Sequence, residues 1–138
     1  VPVQHWSKRG FFDTNKTLWA GWVVKSPQQK LFFAGDTGYS KNFEEIGKRC
    51  PMDLSLIPIG AYAPRWFMKY MHVNPEEAVK IHLDVKSWQT IGMHWGTFLN
   101  LTEEPFLEPP KRLLQELEKR EINPLKFCVL VLGQTIML

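Results

Sequence analysis

Two histidines and one aspartate of this chain follow short apolar runs and are residue types that bind zinc. His5, Asp36 and His94 each stand at the end of such a run, as Gly60 does. Ligand-binding groups of α/β sheets gather at the carboxyl ends of strands. Imidazole nitrogens and a carboxylate are ligands of hydrolytic Zn²⁺, and a carboxylate can bridge two ions. The pattern indicates a hydrolytic metal site, with structural, hydrogen-bonded histidines as the alternative.

The other two histidines occupy different settings. His72 lies in a loop directly before Asn74-Pro75, a helix start, and side chains of such loops often serve function. His82 shares a helical stripe with Ala78 and Ile81. We therefore expect His72 to point into a cleft and His82 to be a half-buried packing residue.

Cationic and aromatic residues accompany the candidate ligands. Lys8 and Arg9 come shortly after His5, and Arg65 and Lys69 follow the apolar run that ends at Gly60. An arginine can clamp a phosphate with paired donors, whereas solvated surface charge is the ordinary state of these residues. The aromatic cluster within 66–70 predicts a piece of core or a lid, or a contact for an apolar substrate chain.

Other hydrolytic chemistries fit the sequence less well. Asp36-Thr37-Gly38 is the motif of aspartic proteases, which need a second carboxylate and hence a symmetric dimer in a short chain. The helical segments, and Tyr39 after the motif, argue against that class. The chain has no G-x-S-x-G motif, and neither Cys50 nor Cys128 has a catalytic or metal-binding spacing.

Composition narrows the classes further. The chain has 138 residues, of which 44% are hydrophobic, so one domain with its own core is expected. A net charge of +3 without a basic run argues against a nucleic-acid partner. Two cysteines far apart in sequence fit a reducing, intracellular compartment. No segment has the roughly 18 apolar residues of a membrane span, so we expect a cytoplasmic or peripheral membrane protein.

Hydrophobic periodicity predicts alternating strands and helices. Strands are expected over 18–24, 30–35, 54–60, 90–93 and 127–132, and helices over 40–50, 75–85 and 110–122. The turn at 26–29 predicts a hairpin between the first two strands. In the last helix Leu113, Leu114 and Leu117 are expected to face inward. The order predicts an α/β (α+β) fold whose mixed sheet has helices on one face.

Several motifs together resemble one known family. They are QHWSKR at 4–9, FFAGDTGY at 32–39, FEEIGKR at 43–49, IPIGAYAPRWFMKY at 57–70, HVNPEEAVKIH at 72–82, HWGTF at 94–98 and LEPP at 107–110. The chain is similar over nearly its whole length to the C-terminal part of the N-acyl-phosphatidylethanolamine-hydrolysing phospholipases D, which have a metallo-β-lactamase fold. Met71 departs from the pattern, which has Gln before this histidine.

The resemblance implies roles for single residues. His5 and His94 would each bind one of two zinc ions, Asp36 would bridge the ions, and His72 would lie near the substrate phosphate. Lys8, Arg9, Tyr62, Arg65 and Trp66 would contact the substrate. The implied reaction is zinc-dependent hydrolysis of an N-acyl-phosphatidylethanolamine to phosphatidic acid and an N-acylethanolamine. The implied partners are the phospholipid and a membrane surface, and a homodimer is compatible with them.

One motif of that family has no counterpart here. Its remaining metal ligands come from an H-x-H-x-D-H segment, which no part of the 138 residues matches. We therefore expect residues 1–138 to be the C-terminal part of a single αββα sandwich domain. On this expectation the chain is inactive alone, with one sheet face uncovered. A catalytically inactive fragment or an α/β interaction domain is the alternative function.

Overall fold

The computed structural model describes residues 1–7, 10–14, 16–131 and 133–137. Its strands are β1 (Pro2–Ser7), β2 (Thr17–Ala20), β3 (Trp22–Lys25), β4 (Lys30–Phe33), β5 (Leu54–Pro58), β6 (Gln89–Met93) and β7 (Phe127–Val129). Its helices are α1 (Asn42–Arg49), α2 (Arg65–Met68), α3 (Pro75–Asp84) and α4 (Glu108–Lys119). No helix of the described chain is long and apolar enough to cross a membrane.

The strands form two sheets. Five of them pair in the order β3-β4-β5-β6-β7, with β3 antiparallel to β4 and the other neighbours parallel. The predicted hairpin is confirmed, because Lys25 pairs with Lys30 across the turn at 26–29. Each parallel connection passes through a helix, as parallel strands require. The prediction of a mixed sheet with helices is confirmed.

The remaining two strands correct the prediction. The expected strand over 18–24 is two strands that break at Gly21, and β2 leaves the large sheet to pair antiparallel with β1. Strand β1 was not predicted, and His5 lies within it rather than after it. The short helix α2 was also not predicted. Strands β1 and β2 depend on pairing between residues distant in sequence, and hydrophobic periodicity carries no information about such pairing.

The helices cover one face of the large sheet. Helix α3 contacts both α1 and α4 and lies against β5. The core contains side chains from each of these layers: Phe32, Ile57 and Phe127 from the sheet, and Phe43, Val79, Ile81, Leu113 and Leu117 from the helices. Leu114 was expected to face inward but is 45% exposed, and Glu116, paired with Arg120, is buried instead.

The opposite sheet face is apolar and open. Trp22 pairs with Phe33 across the hairpin, and Val24 pairs with Leu31, so all four side chains lie on this face. Trp22, Val24 and Phe33 are among the exposed large hydrophobic residues of the structure. An apolar patch of this kind favours association with another protein surface.

His82 is the packing residue that the helical stripe predicts. Its side chain is buried against β6, with Nδ1 2.8 Å from the hydroxyl of Thr90. Burial, assisted by the charge of Lys126, lowers the pKa of His82 to about 4. The imidazole is therefore neutral in the folded chain at neutral pH.

This burial predicts a pH-dependent stability. Above pH 6.5 His82 is neutral in both states, whereas between about pH 6.5 and 4 only the unfolded state takes up its proton. The contribution of His82 to the free energy of unfolding should therefore fall by about 1.4 kcal/mol per pH unit in this window and level off below it. Urea unfolding of the wild type and His82→Asn at several pH values measures the effect. The free energy of unfolding of the variant should depend less steeply on pH, by the slope that uptake of one proton gives. Parallel pH profiles of the two proteins would contradict the prediction.

Candidate metal centre

The topology brings the candidate ligands to one edge of the large sheet. Asp36 follows β4, and His94 follows β6. Both strands are parallel to β5, so their carboxyl ends meet at the same edge. His5 is carried there by β1, and His72 by the loop before α3. Four residues far apart in sequence thus share one location.

Their side chains lie within coordinating distance of one another. Nε2 of His94 is 3.3 Å from Oδ1 of Asp36. The ring of His72 lies between those of His5 and His94, at 5.4 Å from each centroid. One donor atom from each of His5, Asp36 and His72 lies within 4.8 Å of the other two. The structure therefore brings all four sequence-predicted residues together.

The turn after Asp36 holds this arrangement together through hydrogen bonds that main-chain amides donate. The amide of Gly38 donates to the carbonyl of Gln4 (2.6 Å), and the amide of Gln4 donates to the buried hydroxyl of Thr37 (3.0 Å). The amide of Val73 donates to the carbonyl of Thr37 (2.8 Å). A Cβ on Gly38 would lie 2.7 Å from the carbonyl oxygen of Tyr70. We call this turn the Thr37–Gly38 clip, since it joins β1, Asp36 and the loop of His72.

A hydrogen bond orients the ring of His5, and His94 has an unusual backbone conformation. Nδ1 of His5 lies 3.0 Å from the carbonyl oxygen of Met71. Because a carbonyl only accepts, Nδ1 is the donor in this contact, which leaves Nε2 as the nitrogen available to a metal, the arrangement typical of a metal-binding histidine. His94 adopts a positive φ of 59°, a backbone conformation that is uncommon for non-glycine residues.

His72 is the least satisfied of the four. Its Nδ1 is buried and has no hydrogen-bond partner within the described chain. Burial lowers its pKa to about 4, and although Asp36 opposes this effect, His94 and His5 reinforce it. Its carbonyl accepts a hydrogen bond from Nη1 of Arg65 (2.7 Å), which fixes the backbone of the loop.

The donor set fits a metal ion. Imidazole nitrogens and a carboxylate at this spacing are ligands that zinc takes, and a buried imidazole nitrogen without a partner is a group that an ion would satisfy. The fit includes His72, which the resemblance had placed near the phosphate rather than among the ligands. The ligand roles of His5, Asp36 and His94 stay predictions.

The residues predicted to contact the substrate have different environments in the structure. Tyr62 is only 1% exposed, and its hydroxyl donates to Glu108 (2.6 Å), which favours packing over substrate contact. Arg65 is committed to the His72 carbonyl and to Glu77 (2.9 Å). Trp66 is 78% exposed. Lys8 and Arg9 lie outside the described residues.

Sequence reasoning missed one residue at this edge. Glu104 accepts hydrogen bonds from the amides of Ala61 (2.6 Å), Tyr62 (3.3 Å) and Ala63 (3.0 Å), in the loop that follows β5. Burial alone would raise the pKa of Glu104, but hydrogen bonds from Thr102 and from the amides of Glu104, Ala63 and Ala61 outweigh it and hold the pKa below its usual range. The two adjacent acids Glu103-Glu104 resemble solvated loop charge, so no local signal marks the second of them.

Comparison with known proteins assigns the family. A sequence model described as the Beta-lactamase superfamily domain matches residues 1–95, more than half of the chain. The chain belongs to this superfamily. The structure of Igni18, a metallo hydrolase from the archaeon Ignicoccus hospitalis, superimposes with a TM-score of 0.69 at 22% identity, over 98% of this chain and 49% of that one. The predicted metallo-β-lactamase fold is thus confirmed.

Two relatives extend the likeness at the sequence level. The N-acyl-phosphatidylethanolamine-hydrolyzing phospholipase D 1 of Caenorhabditis elegans is 43% identical over 97% of this chain. The mitochondrial N-acyl-phosphatidylethanolamine-hydrolyzing phospholipase D of Saccharomyces cerevisiae is 44% identical over 82% of it. The chain spans 38% and 25% of these two proteins, respectively.

Proposed function

We propose that residues 1–138 supply part of a zinc site that hydrolyses N-acyl-phosphatidylethanolamine to phosphatidic acid and an N-acylethanolamine. The observation that carries the proposal is the convergence of donor atoms from His5, Asp36 and His72 within 4.8 Å, with His94 3.3 Å from Asp36. The names and identities of the two phospholipase relatives support this substrate over other phosphodiesters.

The reaction consumes one water. The water oxygen forms a bond to phosphorus, the bond between phosphorus and the ethanolamine oxygen breaks, and the leaving oxygen takes a proton. Zinc, when bound, supplies Lewis-acid charge at the phosphoryl group and lowers the pKa of water. Asp36, at the centre of the cluster, would hold two ions together, and His5 and His94 would each hold one.

The rest of the chain positions these groups. Arg65 donates a hydrogen bond to the main-chain carbonyl of His72, which keeps His72 directed at the cluster. The Met71 carbonyl fixes the ring of His5. Trp66, Phe67 and Tyr70 are exposed on and beside α2, with Lys69 over the Tyr70 ring (4.7 Å). Exposed aromatic rings beside a cation suit a membrane interface, and we propose that this surface faces the lipid.

A complete site needs further ligands. We propose that they come from an H-x-H-x-D-H segment outside these 138 residues, and that the chain has no phospholipase activity without it. The open face with Trp22, Val24 and Phe33 would then pack against the rest of the same domain. The second candidate function, an interaction domain, is favoured by the same face, since it is suited to bind another protein.

A fusion protein tests the function. The chain is joined behind the N-terminal segment of a metallo-β-lactamase relative that carries H-x-H-x-D-H, and release of N-acylethanolamine is measured by mass spectrometry. Release should require zinc and stop with a chelator. His72→Ala should reduce turnover by about tenfold or more, because it removes a group from the cluster. His82→Ala, the matched control, should lower the unfolding temperature and spare most of the turnover.

Three results would argue against the function. One is turnover that survives chelation, and another is the opposite response of the two histidine variants. The third is a well-folded, zinc-loaded fusion protein that hydrolyses no N-acyl-phosphatidylethanolamine. In that case the interaction domain becomes the better interpretation, and the purified chain should form a stable complex through its open sheet face.

A further inference from the structure

A cavity opens next to the candidate metal centre. Its volume is about 270 Å³, and it lies between the loop at 95–106 and the end of β5. His94 and Gly60 form part of its wall, so the cavity is continuous with the cluster. At this size it is near the lower limit of small-molecule sites, as expected for a groove that holds one part of a larger ligand.

The side chains around this cavity are largely apolar. Phe98, Leu99, Leu101 and Phe106 all line it, and all four are among the exposed large hydrophobic residues. Scattered exposed hydrophobic residues are common, but four within nine positions of one loop are a contiguous patch. Their placement beside a candidate catalytic cluster favours contact with an apolar part of the substrate.

The charges at the cavity exclude the phosphate end of a phospholipid. No lysine or arginine is among the lining residues in the described part of the chain, whereas Glu103 and Glu104 are. A phosphate would be repelled by these carboxylates. Asn100 and Thr97 also line the cavity and offer neutral hydrogen-bonding groups. The lining thus suits an uncharged group with one polar function.

Glu104 connects the two walls of the cavity. Its carboxylate accepts from the amides of Ala61 and Ala63, at 2.6 Å and 3.0 Å, on the strand-end loop. Ala61 has a positive φ of 61°, which helps successive amides to converge on one anion. The bonds join the end of the loop at 95–106 to the strand end beside His94. Within the described residues, these hydrogen bonds are the contacts through which Glu104 holds the loop against the strand end.

We propose that this cavity binds the N-acyl chain of the substrate and that Glu104 is the positioning residue that holds its wall. The proposal rests on the proposed function and names a subsite of the same centre. The N-acyl amide has an N–H that needs an acceptor, which Asn100 and Thr97 provide, whereas the glycerol esters have no such donor. The phosphodiester would then lie at the cluster, and the N-acyl chain would lie along the loop.

Photo-crosslinking tests the subsite without requiring catalysis. An N-acylethanolamine with a diazirine on its acyl chain is irradiated with the 138-residue chain, and labelled peptides are mapped by mass spectrometry. Labelling should concentrate in 95–106 and be competed by unlabelled N-palmitoylethanolamine. Leu99→Ser should reduce it about fivefold or more. Leu125→Ser, which changes an equally exposed leucine before β7, should leave it unchanged.

Several results would overturn the subsite. Labelling that is not competed, or that falls mainly on 66–70 or on the open sheet face, would place the acyl chain elsewhere. Equal labelling at 95–106 by a diazirine-bearing phosphatidic acid would remove the preference for the N-acyl chain.

Kinetics of the fusion protein test the role of Glu104. Glu104→Gln keeps the size of the side chain but cannot accept from amides through both of its terminal atoms, so the wall should loosen. KM for a long-chain substrate should rise about tenfold, the dependence of KM on chain length should flatten, and kcat should change little. Glu118→Gln is the matched control, because Glu118 is exposed on α4 and is not among the residues that line the cavity.

The readouts separate the two proposals. Competed labelling at 95–106, together with a well-folded, zinc-loaded fusion protein that hydrolyses no N-acyl-phosphatidylethanolamine, would refute the proposed function and keep the subsite. Normal hydrolysis with equal kinetics for the two glutamate variants would refute the positioning role of Glu104 and keep the function.

Discussion

Asp36→Asn is expected to reduce zinc-dependent release of N-acylethanolamine by the fusion protein about 100-fold or more. Asp36 lies 3.3 Å from His94 and within 4.8 Å of donor atoms from His5 and His72, so its carboxylate is central to the cluster. Asparagine keeps the shape but removes the negative charge that two cations would share. Loss of outer partners of metal ligands already costs about 10- to 100-fold in typical enzymes. Turnover and zinc content are measured together.

Asp53→Asn is the control for this variant. Asp53 lies before β5, at the opposite edge of the same sheet, and accepts a hydrogen bond from the amide of Lys30 (2.7 Å). Asparagine can keep that bond, so turnover should stay within about twofold of the wild type. Equal turnover of the Asp36 and Asp53 variants would exclude Asp36 as a metal ligand.

Gly47→Ala is expected to destabilise the fold by about 3 kcal/mol or more. In most helices this change is stabilising by up to about 1 kcal/mol, since alanine is the better helix former. Gly47 is buried where α1 crosses the end of α3, and an added Cβ would lie 2.0 Å from the carbonyl oxygen of Asp84. Because the obstacle is backbone, the helices must separate, which is costly in a packed core.

Urea unfolding of the chain measures this effect. Lys48→Ala is the control: Lys48 is the exposed next residue of the same helix, and its replacement should change the free energy of unfolding by less than about 0.5 kcal/mol. An unchanged or raised unfolding midpoint for Gly47→Ala would mean that α1 and α3 are not in close contact.

Local signals predict the elements that depend on neighbouring residues. The sequence Asn74-Pro75-Glu76-Glu77 predicts the start of α3, and the structure has a capping box there, with the amide of Glu77 donating to Asn74. The apolar run at 54–58 predicts a buried strand, and β5 is central in the sheet. In each case the physical cause lies within a few residues, so the sequence is sufficient.

Long-range pairing accounts for the errors. Strand β2 separates from β3 because Leu18 pairs with Trp6, and no pattern within 18–24 records that partner. Leu114, which was expected to face inward, is exposed, whereas Glu116 is buried and its carboxylate is compensated by salt bridges to Arg120 and Lys119. Which residues of α4 are buried therefore depends on what the helix packs against and not on its hydrophobic periodicity alone.

The candidate site divides in the same way. Residue type and position after an apolar run are sufficient to indicate Asp36 and His94 as candidate ligands. The position of Glu104 depends on three amides more than 40 residues away, which only the fold brings together. The orientation of His5 likewise comes from a carbonyl 66 residues away.

The Thr37–Gly38 clip and the Met71 carbonyl have a consequence for how this site tolerates sequence drift. Apart from the Thr37 hydroxyl and the Arg65 guanidinium, the groups that hold His5 and the loop of His72 are main-chain atoms, among them those of Gln4, Gly38 and Met71. Every residue other than proline carries the same amide and carbonyl, so side chains at positions 4 and 71 can vary while the imidazoles keep their places. Methionine in place of glutamine at position 71 is therefore an inexpensive substitution for the geometry. Positions 4 and 71 constrain the backbone path, and the contacts that hold the imidazoles leave the side chains there unused.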